Sequence, residues 1–430
     1  MTRENMFNRY TTSGLCVDVM TQHAEEAAFL WLLRSSAARW PHFRLRDLDE
    51  LDERVEAHID GLRIAGEDGW QLCKKELSWK EPGEVFAAAV AALDSGDQEE
   101  IESVLSVAAK SPDLSRGFIS ALGWLAYEQA EPHIKRLHAS QPPSERRIGI
   151  AAAAIHRKDP GRPLNAAIAD PDPLLRARAL RAIGELGRID LIPLMQRDLN
   201  AEDVNCRFWS AWSTTLLAGY GNAIQVLQAI AESPGPYRER ALQMALRRMN
   251  LATAHSWQRQ LARHPQTMRS AAIAAGIIGD PSEVPWLIEQ MSIPPLARVA
   301  GEAFTMITGV DLAYDDLDTD EPEGFESGPT EDPNDDNVEM DPDERLPWPD
   351  AALISGWWAK HSAEFQTGVR YLIGKPIGAE WLQHVLRQGR QRQRAAAALE
   401  LAIMRPGELL FEVRAPGFRQ QELLQIPVTR

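Results

Sequence analysis

The run "DPNDDNVEMDPD", residues 332–343, puts Asp332, Asn334 and Asp336 at the first, third and fifth positions of a loop that Asp343 closes. This is the oxygen-ligand spacing with which a helix–loop–helix site takes a calcium ion. The rest of the pattern departs from it. Asn337 stands where glycine makes the sharp turn, and an aspartate ends the loop where a longer glutamate clamps the ion. The four residues form a weak calcium candidate, and no cofactor is expected. His133 and His138 are five apart, which points them to different sides of a helix, whereas a zinc pair on a helix prefers a spacing of four. No HExxH, GxSxG or GxxxxGK[ST] occurs, and no GxGxxG follows a strand. Cys16, Cys73 and Cys206 are too scattered for a metal knuckle or a disulfide framework, and read as small core residues of a reducing compartment. No catalytic residue emerges, and an enzyme is not the expectation.

Charge is concentrated rather than spread. The 430-residue chain carries a formal charge of −16, and residues 311–350 alone hold 17 acids against one base, Arg345. The remaining residues therefore sum to zero. A body without net positive charge lacks the electrostatic footprint of nucleic-acid binding. No apolar run reaches the roughly 18 residues that span a membrane. The opening "MTRENMFNRYTTSG" lacks a basic-then-apolar leader, so a cytoplasmic protein is expected.

The elements that must position any functional residue are visible in the arginines. Arg116, Arg147, Arg176, Arg207, Arg238, Arg269 and Arg298 recur at intervals of 29 or 31 residues, each opening an alanine-rich or apolar stretch. Three residues after the last five stands a small residue: Ala179, Ser210, Ala241, Ala272 and Gly301. Pro132, Pro163, Pro193 and Pro285 follow their arginines by 16 or 17 residues, as proline does in the first turn of a second helix. Each unit thus reads as helix, turn, helix, with small side chains where stacked pairs approach and arginines capping and bridging the layers.

The fold class is all-α: an α-solenoid of HEAT-like helix pairs, with helical caps and a long acidic insertion. The expected segments are a cap at 1–80, the solenoid at 81–310, an acidic proline-rich strap at 311–350 and a second cap at 351–430. Six prolines prevent the strap from being a helix throughout. Tyr314, Leu317, Phe325, Met340, Leu346 and Trp348 punctuate it, which predicts an ordered strap docked by its apolar residues. Its acids are expected to face Arg387, Arg390, Arg392 and Arg394 of "RQGRQRQR". The candidates for partner binding are the strap residues Asp315, Asp316, Asp318, Phe325, Asp335, Asp336 and Trp348. Core packing is the reading for most of the 13 tryptophans, and Trp209 and Trp212 join the candidates as anchors offered by the repeats.

"GWQLCKKELSWKEPGEVFAAAVAAL", "DPSEVPWLIEQMSIPPLARVAGEAFTMITGVDL", the strap, "RYLIGKPI" and "GRQRQRAAAALELAIMRPGELLFEVRAPGFRQQ" together resemble one bacterial family. Its members are HEAT-like proteins of unassigned activity, encoded beside type VI secretion spike and effector genes. The resemblance implies a role in that system and brings no catalytic residues. The expectation is a non-enzymatic adaptor or chaperone that holds a secreted effector or spike component before export, with neither nucleic acid nor membrane as partner. An immunity protein that neutralises a secreted toxin is the alternative, and a helical-repeat enzyme of unknown reaction the third reading.

Overall fold

The computed structural model describes residues 16–219, 221–328 and 340–426. Among the described residues it is about 70% helical, with 22 α-helices and little sheet, as an all-α repeat fold requires. Two compact units divide the chain, one of residues 1–39, 43–213 and 407–430, the other of residues 40–42 and 214–406. They follow packing rather than sequence segments, so the tail 407–430 joins the first unit. Among the described residues no helix is long and apolar enough to cross a membrane.

In the first unit several helices start where the sequence supplies a cap or a proline. Asp97 accepts from the Glu99 and Glu100 amides to open helix Gln98–Ala108. Ser111 caps Pro112–Trp124, and Asp172 caps Pro173–Glu185. These side-chain oxygens satisfy amides that have no partner within the helix. Proline also opens Pro143–Ile155, so the first helix of a pair uses the device that the sequence reading gave to the second. Pro163, Pro193 and Pro285 do sit at the starts of second helices. Pro132 does not. It lies inside Tyr127–Ala139, because that helix begins earlier than the proline suggests.

Burial explains the small positions. Ala179, Ser210, Ala241 and Ala272 are wholly inaccessible, and Gly301 is buried. A tighter approach lies elsewhere, at Gly117 on Pro112–Trp124. A Cβ there would stand 2.8 Å from the Phe86 amide nitrogen and 2.9 Å from the Val85 Cβ of helix Pro82–Ser95.

In the second unit Arg238–Arg248 and Leu251–Leu261 pack against Met268–Ile278, which packs in turn against Pro294–Thr308, and the last two helices share a core that includes Ala272, Phe304, Ile307 and Ile354. The described residues 311–328 leave this stack, and residues 340–350 return to it. Asp318–Thr319 pairs antiparallel with Trp348–Pro349, so the two stems of the strap zip together. Leu317 and Leu346 are buried at the stems, and Asp350 then caps helix Ala351–His361. Tyr314 and Met340 depart from the expectation of docking, being 84% and 67% exposed. Tyr314 stands in a turn that buries Leu312 and Leu317 on either side of it, which leaves its own side chain facing outward.

Candidate functional site

The marker arginines perform three different tasks. Arg176 and Arg207 reach back to the Asp170 and Ala201 carbonyls, and Arg238 to that of Ser233. Each thereby ties down the loop that precedes its own helix. At the second marker this task passes to Arg146, which donates to the Ser140 carbonyl at 3.1 Å. Arg147 is then free to turn inward, where it is 8% exposed and donates to the Ser115 hydroxyl at 2.7 Å.

Arg269 and Arg298 take the third task and hold the strap. Arg269 forms a two-point ion pair with Asp343, with Nη2 2.8 Å from Oδ1. Arg298 pairs with Asp341 at 2.5 Å. The Arg298 guanidinium also lies 4.4 Å from the Trp348 ring centroid and 5.6 Å from that of Phe325. Phe325 and Trp348 pack edge to face at 4.9 Å. A cation sandwiched against two rings and paired with a carboxylate is held by both cation–π attraction and a charged hydrogen bond. The Asp341 carboxyl titrates below its ordinary range. Burial pushes it up, but the Asp343 amide and Arg298 outweigh that.

These contacts reassign several candidates. Phe325 and Trp348 are half-buried and engaged by Arg298. Trp209 and Trp212 are each 8% exposed and pack against one another at 5.5 Å, so they belong to the core. Asp343, the last of the calcium candidates, is an ion-pair partner; Asp332, Asn334 and Asp336 lie outside the described residues, as does Asp335. No group of three or more His, Cys, Asp or Glu among the described residues could hold a metal ion. Asp315 and Asp316 are exposed beside Tyr314, while Asp318 is half-buried in the stem pairing. Of the basic cluster, Arg390 meets Asp311. Arg392 pairs with Glu302 and reaches the Pro342 carbonyl. Arg394 turns inward to the Leu386 carbonyl and Gln391.

A second feature has no counterpart in the sequence reading. Within the first unit a cavity of about 260 Å³ is lined by seven arginines and one glutamate. Arg116, Arg147, Arg178 and Arg181 enter it from three successive first helices, Pro112–Trp124, Pro143–Ile155 and Pro173–Glu185. Arg34 comes from helix Val17–Ala37, and Arg414 and Arg419 come from the tail. Trp124, Ile119 and Ile155 supply an apolar wall. Arg34 is spent on Asp52 and on the Arg414 and Ala415 carbonyls. Arg178 and Arg181 share Glu185. Burial would raise that carboxyl, yet Arg178, Arg181 and Arg157 hold it down at about 2. Burial also lowers Arg178, to about 10, so it stays charged at neutral pH. The signal existed only as scattered arginines, since the tail that completes the cavity is more than 200 residues from the helices it meets, as in the Arg157–Glu412 pair.

Among known families, the profile described as HEAT repeats matches residues 162–247, which span the helices Arg162–Ala167 to Arg238–Arg248. The chain therefore contains HEAT-like repeats on a solenoid-type helical fold. No curated protein and no solved structure matches the chain.

Proposed function

We propose that this chain is a non-enzymatic protein-binding adaptor of bacterial type VI secretion, which holds an effector or spike component before export. The observation that carries the binding role is the strap. Its stems are zipped and its far end is fixed by Arg269 and Arg298, while Tyr314, Asp315 and Asp316 stand exposed on the near side. An aromatic ring flanked by acids on a firmly held loop suits a basic protein surface. The ring supplies the anchor, and the acids supply steering and register. HEAT-like repeats commonly mediate protein interaction, which agrees with this role. The link to type VI secretion rests on the sequence resemblance set out above.

Deletion of the gene tests the role. An adaptor's loss abolishes delivery of its effector and leaves the producing strain healthy. Poisoning of the producer or its siblings would instead identify an immunity protein and overturn the adaptor reading.

A further inference from the structure

We propose that the arginine cavity of the first unit is a binding site for a phosphate dianion, free or carried as a phosphomonoester. Its chemistry is independent of the strap and of the adaptor role. The cavity is cationic within a protein whose formal charge is −16, so its sign is a local construction rather than a reflection of composition.

Holding the tail in place accounts for part of the cluster. Arg34 and Arg157 bind carbonyls of residues 410–415, and Arg419 returns to the Leu125 carbonyl. It does not account for the rest. Arg147 is buried among the repeats with the Ser115 hydroxyl as its hydrogen-bond partner, and among the described residues no carboxylate forms an ion pair with it, Asp172 acting on it only at longer range. The Nη1 of Arg178, also in the wall, is buried without a hydrogen-bond partner. Arg116 holds Asp113 at 2.6 Å with one nitrogen and Ser35 with another, and its side chain remains 43% exposed. Buried guanidinium donors without acceptors are costly, because each forfeits its hydration. An anion placed among them recovers that cost.

The number and geometry of these donors select the anion. A carboxylate offers one charge and two oxygens in a plane. A phosphate offers nearly two charges and three or four oxygens in a tetrahedron, which donors arriving from three helices can share. Arginine's planar fork suits such oxygens better than the point charge of lysine, and no lysine lines the cavity. The volume lies just below the roughly 300–1,000 Å³ of sites for drug-sized ligands, which limits the ligand to a phosphate with a short organic body. Ile119, Ile155 and Trp124 are placed to cover that body.

Calorimetric titration of the full chain with inorganic phosphate and with O-phosphoserine tests the assignment. Both probes are run against the unchanged protein, Arg147→Gln and Arg116→Gln. Arg116→Gln alters a part-exposed side chain and keeps the test interpretable should Arg147→Gln not fold. Binding should weaken at least tenfold in each folded variant. O-phosphoserine should bind more tightly at pH 7.5 than at pH 5, since its second proton leaves near about pH 6. Preference for inorganic phosphate marks a free-anion site, and preference for O-phosphoserine a phosphomonoester site; either supports the proposal. Binding of neither probe, binding unchanged in Arg116→Gln, or acetate binding as tightly as phosphate would overturn it.

Discussion

Arg269 and Asp343 are 74 residues apart in sequence and meet as a two-point ion pair, with Nη2 2.8 Å from Oδ1. One member belongs to the arginine ladder that defines the repeats, and the other to the acidic strap. The strap is therefore fastened by the same residue type, at the same phase, that elsewhere caps the loops between helix pairs. Exposure is unequal, at 33% for the Arg269 side chain and 6% for that of Asp343. Arg269→Gln strands a buried carboxylate, whereas Asp343→Asn leaves a cation that can turn to water. Arg269→Gln should cost about 2 kcal/mol and Asp343→Asn less. Thermal melting measures the difference. Limited proteolysis of residues 311–350 should accelerate in the same order.

The ladder and the docking leucines were legible in sequence, but the fastening itself was not, because the strap's acids were expected to face Arg387, Arg390, Arg392 and Arg394 rather than Arg269 and Arg298. The ladder is periodic because the helix pairs are periodic, so spacing alone reveals it. The intervals of 31 and then 29 around Arg147 even record the handover of the capping task to Arg146. Leu317 and Leu346 were readable as docking residues because apolar side chains in an acidic run need a reason to be there. Core packing was the reading for most of the tryptophans, but Trp209 and Trp212 could not be singled out as core, since a tryptophan near a helix surface and one beneath it have the same sequence signature. The arginine cavity was invisible because it depends on the tail meeting helices distant in sequence, and no local pattern encodes that meeting.

The same substitution at two helical glycines should have opposite signs. At Gly117 a methyl meets the Phe86 amide nitrogen and the Val85 Cβ, which cannot move aside without separating two helices. Overpacking of about 1–3 kcal/mol then outweighs a gain in helix propensity of about 1 kcal/mol, and Gly117→Ala destabilises. Gly356 lies in Ala351–His361 with nothing within 4 Å of an added Cβ. Gly356→Ala should stabilise by about 0.5–1 kcal/mol. Urea denaturation of the two variants checks both signs.

His156 makes part of the stability depend on pH. Burial, with Arg419 nearby, pushes its imidazole down to about 4, and Nε2 lies 2.8 Å from the Leu122 carbonyl oxygen. The unfolded chain binds a proton at the ordinary value near about 6.5. The folded state therefore takes up the proton less readily, so this contribution is complete above that pH and declines as pH falls toward 4. His156→Gln should lose less stability than the unchanged protein between pH 7 and pH 4.5, by about 1 kcal/mol after discounting for partial exposure. Parallel urea titrations at the two pH values give the comparison.

The near side of the strap offers the most direct test of the adaptor role. The intact protein and a Tyr314→Ala, Asp315→Asn, Asp316→Asn variant, neither of which disturbs the Arg269–Asp343 or Arg298–Asp341 pairs, are used to capture partners from the native bacterium. The prediction is that the intact protein retains a secreted effector or spike component, identified by mass spectrometry, and that the variant loses it. Equal recovery of that partner by both proteins, or recovery of no such component by either, would contradict the account.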